Sequence, residues 1–384
     1  GTTLVRTQRT YTPVDRLHTV TDPAGNVTEH DYNDLNQLVA RTNAQGETTT
    51  YDYDQLGRRT QTTLADGGVR TTDYDAAGQV IATDGGPNGR VQYTYDIMGR
   101  RTHVTDAAGK TTQTHYDGLG RAVQTIDPAG AVTAYTYDIA GRRLTLTDAN
   151  GNTTTYAYNK DGQTTQTTYA NGDTLQFAYS TTTGRLVTKT KPDGTHIHTT
   201  YNPAGNIAAV AHVQYDYDPA GALTQVDDTA TTITHTYNTL GRRTQTTDSV
   251  NGQIDYDYDV RGLRTRMTPL ARADLAVDYA HDNVGRLTNA TLAGEATGAV
   301  YTHDPAGMRT SLTHENGVTT TYTRNAADQL TTLTTTSGTD PVHTADYTRN
   351  AIGRPTRIDH HDGSYTTYAY DNAHRLNHEK RYDA

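Results

Sequence analysis

The sequence predicts an all-β chain of tandem antiparallel β-hairpins, each about 21 residues long, running as one continuous curved or spiralling sheet. Three observations predict it. An element Tyr-[Asp/Asn]-x-x-Gly-[Arg/Gln] recurs at a constant step, every period carries two glycine turns, and only 33% of the 384 residues are apolar. So little apolar material cannot fill one thick core. Tyr supplies nearly all the aromatic content (28, against one Phe and no Trp), and its amphipathic ring can cover a sheet while its hydroxyl stays wet.

The repeat Tyr stands at Tyr11, Tyr32, Tyr53, Tyr74, Tyr95, Tyr116, Tyr137, Tyr158 and Tyr179, always 21 apart. The array continues through Tyr201, Tyr217, Tyr237, Tyr258, His281, His303, Arg324, Arg349 and Tyr370, with steps from 16 to 25. The expected organisation is one array over 1–384, regular over 1–200 and irregular over 201–384. Its glycines are Gly57, Gly78, Gly99, Gly120, Gly141, Gly162, Gly184, Gly205, Gly221, Gly241, Gly262, Gly285, Gly307 and Gly353, several followed by Arg, as at Arg58, Arg100, Arg121, Arg142 and Arg242. A second aromatic often lies two residues before the first, as at Tyr51 and Tyr135, which places both rings on one strand face.

One turn follows the Tyr (Asp54-Gln55-Leu56-Gly57) and one lies midway (Asp127-Pro128-Ala129-Gly130). Asp accepts a backbone N–H two residues on, and Gly supplies the left-handed conformation that closes the turn, so these glycines are expected at positive φ. Between turns lie segments of seven or eight residues rich in Thr and Tyr, such as Arg58 to Leu64, or strands of roughly 23 Å. An odd period would flip successive Tyr residues to opposite faces. Keeping Tyr53, Tyr74, Tyr95, Tyr116 and Tyr137 in one row needs an even loop or a bulge in each repeat, at either turn. A three-residue loop would set Asp54 against Arg58 as an ion pair and Tyr53 against Arg59 as a ring contact. Glycine breakers every ten residues leave no room for a helix of ordinary length. Bulges, loops or changes of direction are expected at 204–218, 268–278 and 337–347.

A net charge of -10 gives no electrostatic footprint for nucleic acid, and no run of 18 apolar residues suggests membrane insertion. Without cysteine there is no disulfide framework. The chain runs from Gly1-Thr2-Thr3 to Arg381-Tyr382-Asp383-Ala384 inside the pattern, so it is expected to be a segment of something longer.

Few residues suggest chemistry. Gly109-Lys110-Thr111 resembles the tail of a phosphate loop, but the glycine required earlier is Val104 and no helix follows. Asp255, Asp257 and Asp259 alternate on one strand, as Ca²⁺ ligands would, and as a solvated acidic face would. His196 with His198, and His360 with His361, offer pairs without a third ligand. His281 and His303 occupy repeat Tyr positions and read as substituted ladder rings. No nucleophile, base and orienting group can be assembled, so no catalytic, cofactor or metal residue is assigned.

Tyr51-Asp52-Tyr53-Asp54-Gln55-Leu56-Gly57-Arg58 and Tyr135-Thr136-Tyr137-Asp138-Ile139-Ala140-Gly141-Arg142 resemble the YD repeats of the Rhs family, which includes bacterial Rhs and wall-associated proteins, toxin-complex components and teneurins. The resemblance implies a spiralling β-shell, hollow, whose bacterial members enclose a C-terminal toxin. It further implies secretion or a cell-surface location in bacteria, with the rest of a longer chain and its cargo as partners. The family's self-cleavage motif has no match, because Asp22-Pro23-Ala24-Gly25, Asp127-Pro128-Ala129-Gly130, Asp218-Pro219-Ala220-Gly221 and Asp304-Pro305-Ala306-Gly307 all lack a following Leu. The alternative is an extracellular adhesion or filament protein, an open ribbon whose Tyr rows bind glycans or a cell surface.

Overall fold

The computed structural model describes residues 7–86 and 89–384, and the opening Gly1-Thr2-Thr3 of the array lies outside the described residues. These residues form thirty-six strands, all antiparallel, and one six-residue 3-10 turn at Leu270–Leu275. The fold is all-β. The chain divides into two units, the first Gly1–Thr111, Asp257–Met267 and Asp274–Ala384, the second Thr112–Tyr256 and Thr268–Ala273.

In the first unit the repeat is well seen in strands Thr48–Tyr53, Arg59–Thr63 and Val69–Tyr74. These hold five or six residues, not seven or eight. Each turn takes five residues from the ladder: Asp54 N–H donates to the Arg58 carbonyl (3.0 Å) and Gly57 N–H to the Asp54 carbonyl (3.0 Å). Leu64 to Gly68 repeat the pattern at the mid turn, with bonds of 2.8 and 2.9 Å.

Register places the parity device. Across the mid turn the ladder is even, Thr63 opposite Val69 and Thr62 opposite Arg70. Across the Tyr turn, Tyr53 lies opposite Arg59 but Asp52 lies opposite Gln61, so Thr60 is an extra, bulged residue. The same shift occurs at Tyr32, Tyr74, Tyr137, Tyr158, Tyr179, Tyr217 and Tyr370. One bulge per 21 residues restores even parity and keeps the Tyr side chains on one face.

In the second unit the same hairpins run until Ile207–Val210 and Val213–Tyr217, which meet across a tight connection with Ala211 at φ +53°. In the first unit the 337–347 region is a long hairpin, Leu330–Ser337 against Asp340–Arg349, with its own register shift at Thr335/Thr336.

No thick core exists among the described residues. Among the described residues only Ala82, Ala276 and Ala345 bury their apolar side chains, and no large side chain there is fully enclosed. The chain exposes 22595 Å², where a compact monomer of its mass would expose about 15,000 Å². Stability therefore rests on strand pairing and on bonds between neighbouring hairpins.

Candidate functional site

Those bonds converge on the Tyr turn. Asp54 Oδ1 accepts the N–H of Leu56 (3.0 Å) and of Arg58 (2.9 Å), and Oδ2 accepts from Arg58 Nε (2.7 Å). Asp96 with Arg100, Asp117 with Arg121 and Asp138 with Arg142 repeat this. The backbone N–H of the partner Arg, aided by its guanidinium, holds each of these four carboxyls below the usual carboxylate range. At Asp282 burial pushes the carboxyl up, but the Arg286 guanidinium and backbone N–H outweigh it and the net shift is downward.

The motif Tyr reaches backward. Tyr53 donates its hydroxyl to the Leu38 carbonyl (2.8 Å), Tyr74 to that of Arg59 (3.1 Å), Tyr95 to that of Val80 (2.7 Å) and Tyr137 to that of Ala122 (2.7 Å). Tyr32, Tyr158, Tyr179, Tyr201, Tyr237 and Tyr370 do the same. Each acceptor belongs to the residue opposite the preceding repeat position, as Leu38 is opposite Tyr32 and, for Tyr370, Pro355 is opposite Arg349. Where Arg324 replaces Tyr, its Nη1 donates to the Arg309 carbonyl at the same offset (2.7 Å).

The motif Arg reaches forward. Arg58 Nη1 donates to the Asp75 carbonyl (3.0 Å), Arg121 to that of Asp138 (2.9 Å) and Arg142 to that of Asn159 (2.9 Å). On the way each guanidinium covers the next Tyr: Arg58 lies 4.6 Å from the Tyr74 ring centre, Arg121 4.8 Å from Tyr137 and Arg142 5.0 Å from Tyr158. The ion pair expected between Asp54 and Arg58 is present, 2.7 Å. The ring contact expected between Tyr53 and Arg59 is replaced: the two residues are opposite in the ladder, but the Arg59 guanidinium lies over Tyr51 (5.4 Å).

The turn glycines carry positive φ, including Gly57 (+79°) and Gly141 (+83°). Asp15, Asn36, Asp328 and His374 fill the same position at φ of +59° to +63° and were not picked out as turn residues. The tolerance of Asn and Asp for the left-handed region was the signal available.

Within the first unit the mid turns of residues 22–110 meet the Tyr turns of residues 259–375. Arg286 bonds Glu47 (3.3 Å), Arg70 bonds Asp328 (2.6 Å), Lys110 bonds Asn372 (2.7 Å), and His374 contacts Asp106. An open cavity of about 470 Å³ lies along this seam, bordered by Asp66, Gly68, Asp304, Tyr322 and Asp328. Two of the bonding side chains, Asp328 and His374, stand where most repeats have glycine.

The residues suggestive of chemistry are engaged otherwise. Lys110 of the phosphate-loop resemblance serves the seam. Asp255 accepts from Gln245 and Gln253 (2.9 Å each), while Asp259 closes its own turn with Arg261 and Leu263. His196 and His198 bond Thr190 and Thr188. Among the described residues only His18, Glu29 and Asp31 gather three possible metal ligands, on an open surface, a grouping the sequence reading did not pick out. No helix among them is long and apolar enough to cross a membrane.

Hairpins fastened forward and backward through Tyr, Asp and Arg define a YD-repeat protein, a structural, shell-like repeat class. The RHS Repeat family matches residues 32–69, 74–111, 116–153 and 303–340, and the Teneurin YD-shell family matches 137–269. The chain belongs to the Rhs/YD-repeat family. Solved structures of similar fold include TcdB2-TccC3-TEV (14% identity, TM-score 0.70, 95% of this chain and 25% of that one). TcdB2-TccC3 without its hypervariable C-terminal region is also similar (16%, 0.58, 96% and 23%). A third is the Photorhabdus luminescens Tc holotoxin pore carrying a TccC3 mutation (17%, 0.57, 97% and 24%). The chain thus spans about a quarter of the length of the structures it matches, and at these identities the likeness is one of fold. No curated protein sequence matches it.

Proposed function

We propose that this chain is a stretch of the structural wall of a secreted bacterial Rhs-type β-shell that encloses a toxin or other cargo polypeptide, both units forming one repeat array. The observation that carries this is the lack of a core: a sheet that buries only three apolar side chains among the described residues can stand between two aqueous compartments. Family membership and fold likeness support the shell-like role. The role is structural, not enzymatic, and the partners are the rest of a longer chain and its cargo. Guanidinium groups over the rings of Tyr74, Tyr93, Tyr137 and Tyr158 occupy faces that sugars would stack on, which weighs against the glycan-binding ribbon. Limited proteolysis of the longer parent tests the reading. Cargo should resist digestion in the intact parent and become sensitive in mild denaturant. Cargo digested as fast inside the parent as when expressed alone would favour the ribbon.

A further inference from the structure

One set of donor atoms in the first unit is not supplied by the repeat pattern. Glu29 and Asp31 stand two apart on the strand Val27–Tyr32, so both carboxylates leave the same face, and both residues are exposed. Their ladder neighbours on that face are Thr19 and Thr42 beside Glu29 and Ala40 beside Asp31, none of them charged. Asp73, which takes the place of Asp31 two repeats on, is held by Arg90 (2.6 Å). Among the described residues no Arg or Lys pairs with Glu29 or Asp31.

His18 completes the set. It is the extra residue of its Tyr-turn bulge, because Tyr11 lies opposite Leu17 and Thr10 opposite Thr19, and a bulged residue is released from the strict alternation of faces. Its ring reaches the Glu29 face, with Nε2 3.7 Å from Glu29 Oε1. At the bulges after Tyr32, Tyr53, Tyr74 and Tyr137 the extra residues are Val39, Thr60, Ile81 and Leu144, none a nitrogen donor. His18 Nδ1 lies 3.3 Å from the His30 carbonyl. A carbonyl oxygen only accepts, so this bond puts the ring proton on Nδ1 and leaves the Nε2 lone pair for the carboxylate side. Metal-binding histidines are oriented in this way, the other ring nitrogen donating to a carbonyl or carboxylate.

We propose that His18 Nε2, Glu29 and Asp31 bind a divalent cation of the zinc class. Their ligand atoms all lie within 4.8 Å of one another. A tetrahedral zinc ion with bonds of about 2.0–2.2 Å sets its donors roughly 3.3–3.6 Å apart. His18 and Glu29 are nearly at that separation, and rotation of the exposed side chains closes the rest. Two carboxylates neutralise the charge of the ion, and three protein ligands leave its fourth position to water. Calcium, which takes roughly six to eight oxygens, fits the set poorly. The bound ion ties strand Leu17–Thr21 to strand Val27–Tyr32 beside the mid turn at Asp22 to Gly25. Such a clip acts within one hairpin and stands whether or not the wall encloses cargo.

Calorimetric titration of the 384-residue chain with Zn²⁺ tests it, at about pH 7.5, where imidazole is neutral. The chain is expected to take up one more equivalent than H18A or E29Q/D31N, at an affinity about tenfold or more above anything the variants retain. The three side chains lie at the surface, so circular dichroism and metal-free melting should be unchanged in both variants. H196A/H198A, which removes a histidine pair elsewhere, should keep the equivalent. Hydrogen exchange gives a second readout. Zn²⁺ should protect amides in 17–32 and leave 59–74 as they were, since Thr60, Thr71 and Asp73 take the three positions there. Uptake that survives H18A or E29Q/D31N, or that H196A/H198A abolishes, overturns the proposal, as does equal protection of the two hairpins.

Discussion

The Tyr turn and the mid turn of one hairpin have the same backbone and different work. Both close five residues with the same two bonds, Asp54 to Arg58 in one and Leu64 to Gly68 in the other. Only the Tyr turn carries the bulge, and it sends side chains to both neighbouring repeats. At some Tyr turns a neighbouring repeat comes close: a Cβ on Gly57 would lie 3.1 Å from Gln37 Nε2 and one on Gly78 3.9 Å from Arg58 Nη1, whereas at Gly141 and Gly241 it would meet nothing within 4 Å. At the mid turns Gly25, Gly46, Gly67, Gly109 and Gly130 the same atom would meet nothing. Backbone geometry makes a turn. Tyr, Asp and Arg make it a fastener between repeats, while the mid turn is left free to meet another row.

Substitution should separate the two roles, and the largest effect is expected at glycine. Gly57→Val must hold a β-branched side chain at positive φ, at a cost of about 2 kcal/mol or more. Gly46→Val pays the same backbone cost, so urea midpoints should place the two within a few tenths of a kcal/mol, Gly57→Val the lower because Gln37 must move. Thr62→Val, in a strand, should change little. Equal loss at Thr62 and Gly57 would undo the turn assignment.

Next comes the Arg that serves both a Tyr turn and the seam. Arg286, 17% exposed, bonds Asp282, the Asp304 carbonyl and Glu47. Its replacement by Ala should cost about 1–2 kcal/mol. Arg375→Ala removes a pair that is 70% exposed on the Arg side and should be near neutral. Thermal melts of the two variants provide the check.

A smaller effect is expected from single hydroxyls. Tyr137→Phe removes the bond to the Ala122 carbonyl and should cost about 1 kcal/mol. Tyr135→Phe, whose ring lies under Arg143 (5.8 Å), should cost less than half of that.

The smallest effect near neutrality is that of pH. Asp54, Asp96, Asp117 and Asp138 titrate lower folded than unfolded, so the stability they confer is fully present above the unfolded carboxylate value, roughly pH 4. It is lost as pH falls through the lower folded values. Melting should be flat from pH 7 to about 5 and decline below about 4, with a shallower decline after Asp138→Asn. Asn already serves at Asn33 and Asn159, where Oδ1 accepts the same backbone bonds.

Much of this was legible in the sequence, for stated physical reasons. A 21-residue period with Asp-x-x-Gly turns specifies hairpins, and its odd length demanded a parity device, found at Thr60 and its equivalents. The acceptor of each Tyr hydroxyl was not legible, since Leu38 and Tyr53 are 15 positions apart and meet only through the ladder. Nor was it legible that Arg58 would bond the next Tyr turn while Arg59 lies over Tyr51 of its own hairpin. The seam was hidden because its offset drifts, from 239 positions at Glu47 and Arg286 to 268 at Asp106 and His374. No local pattern announces such a contact. Asp328 and His374 read as lapses of the glycine rule, and they are bonding residues of the seam.

A double-mutant cycle in the second unit tests most directly whether neighbouring hairpins are fastened through the Tyr turn. Arg121 lies over Tyr137 and bonds the Asp138 carbonyl of the next repeat. Unfolding free energies of Arg121→Ala, Tyr137→Leu and the double variant should show a favourable coupling of about 0.5–1 kcal/mol. The same cycle between Arg121 and Tyr135 should give close to zero. Strict additivity at Arg121 and Tyr137 would mean that the strand ladder alone holds successive repeats together, and would contradict the account.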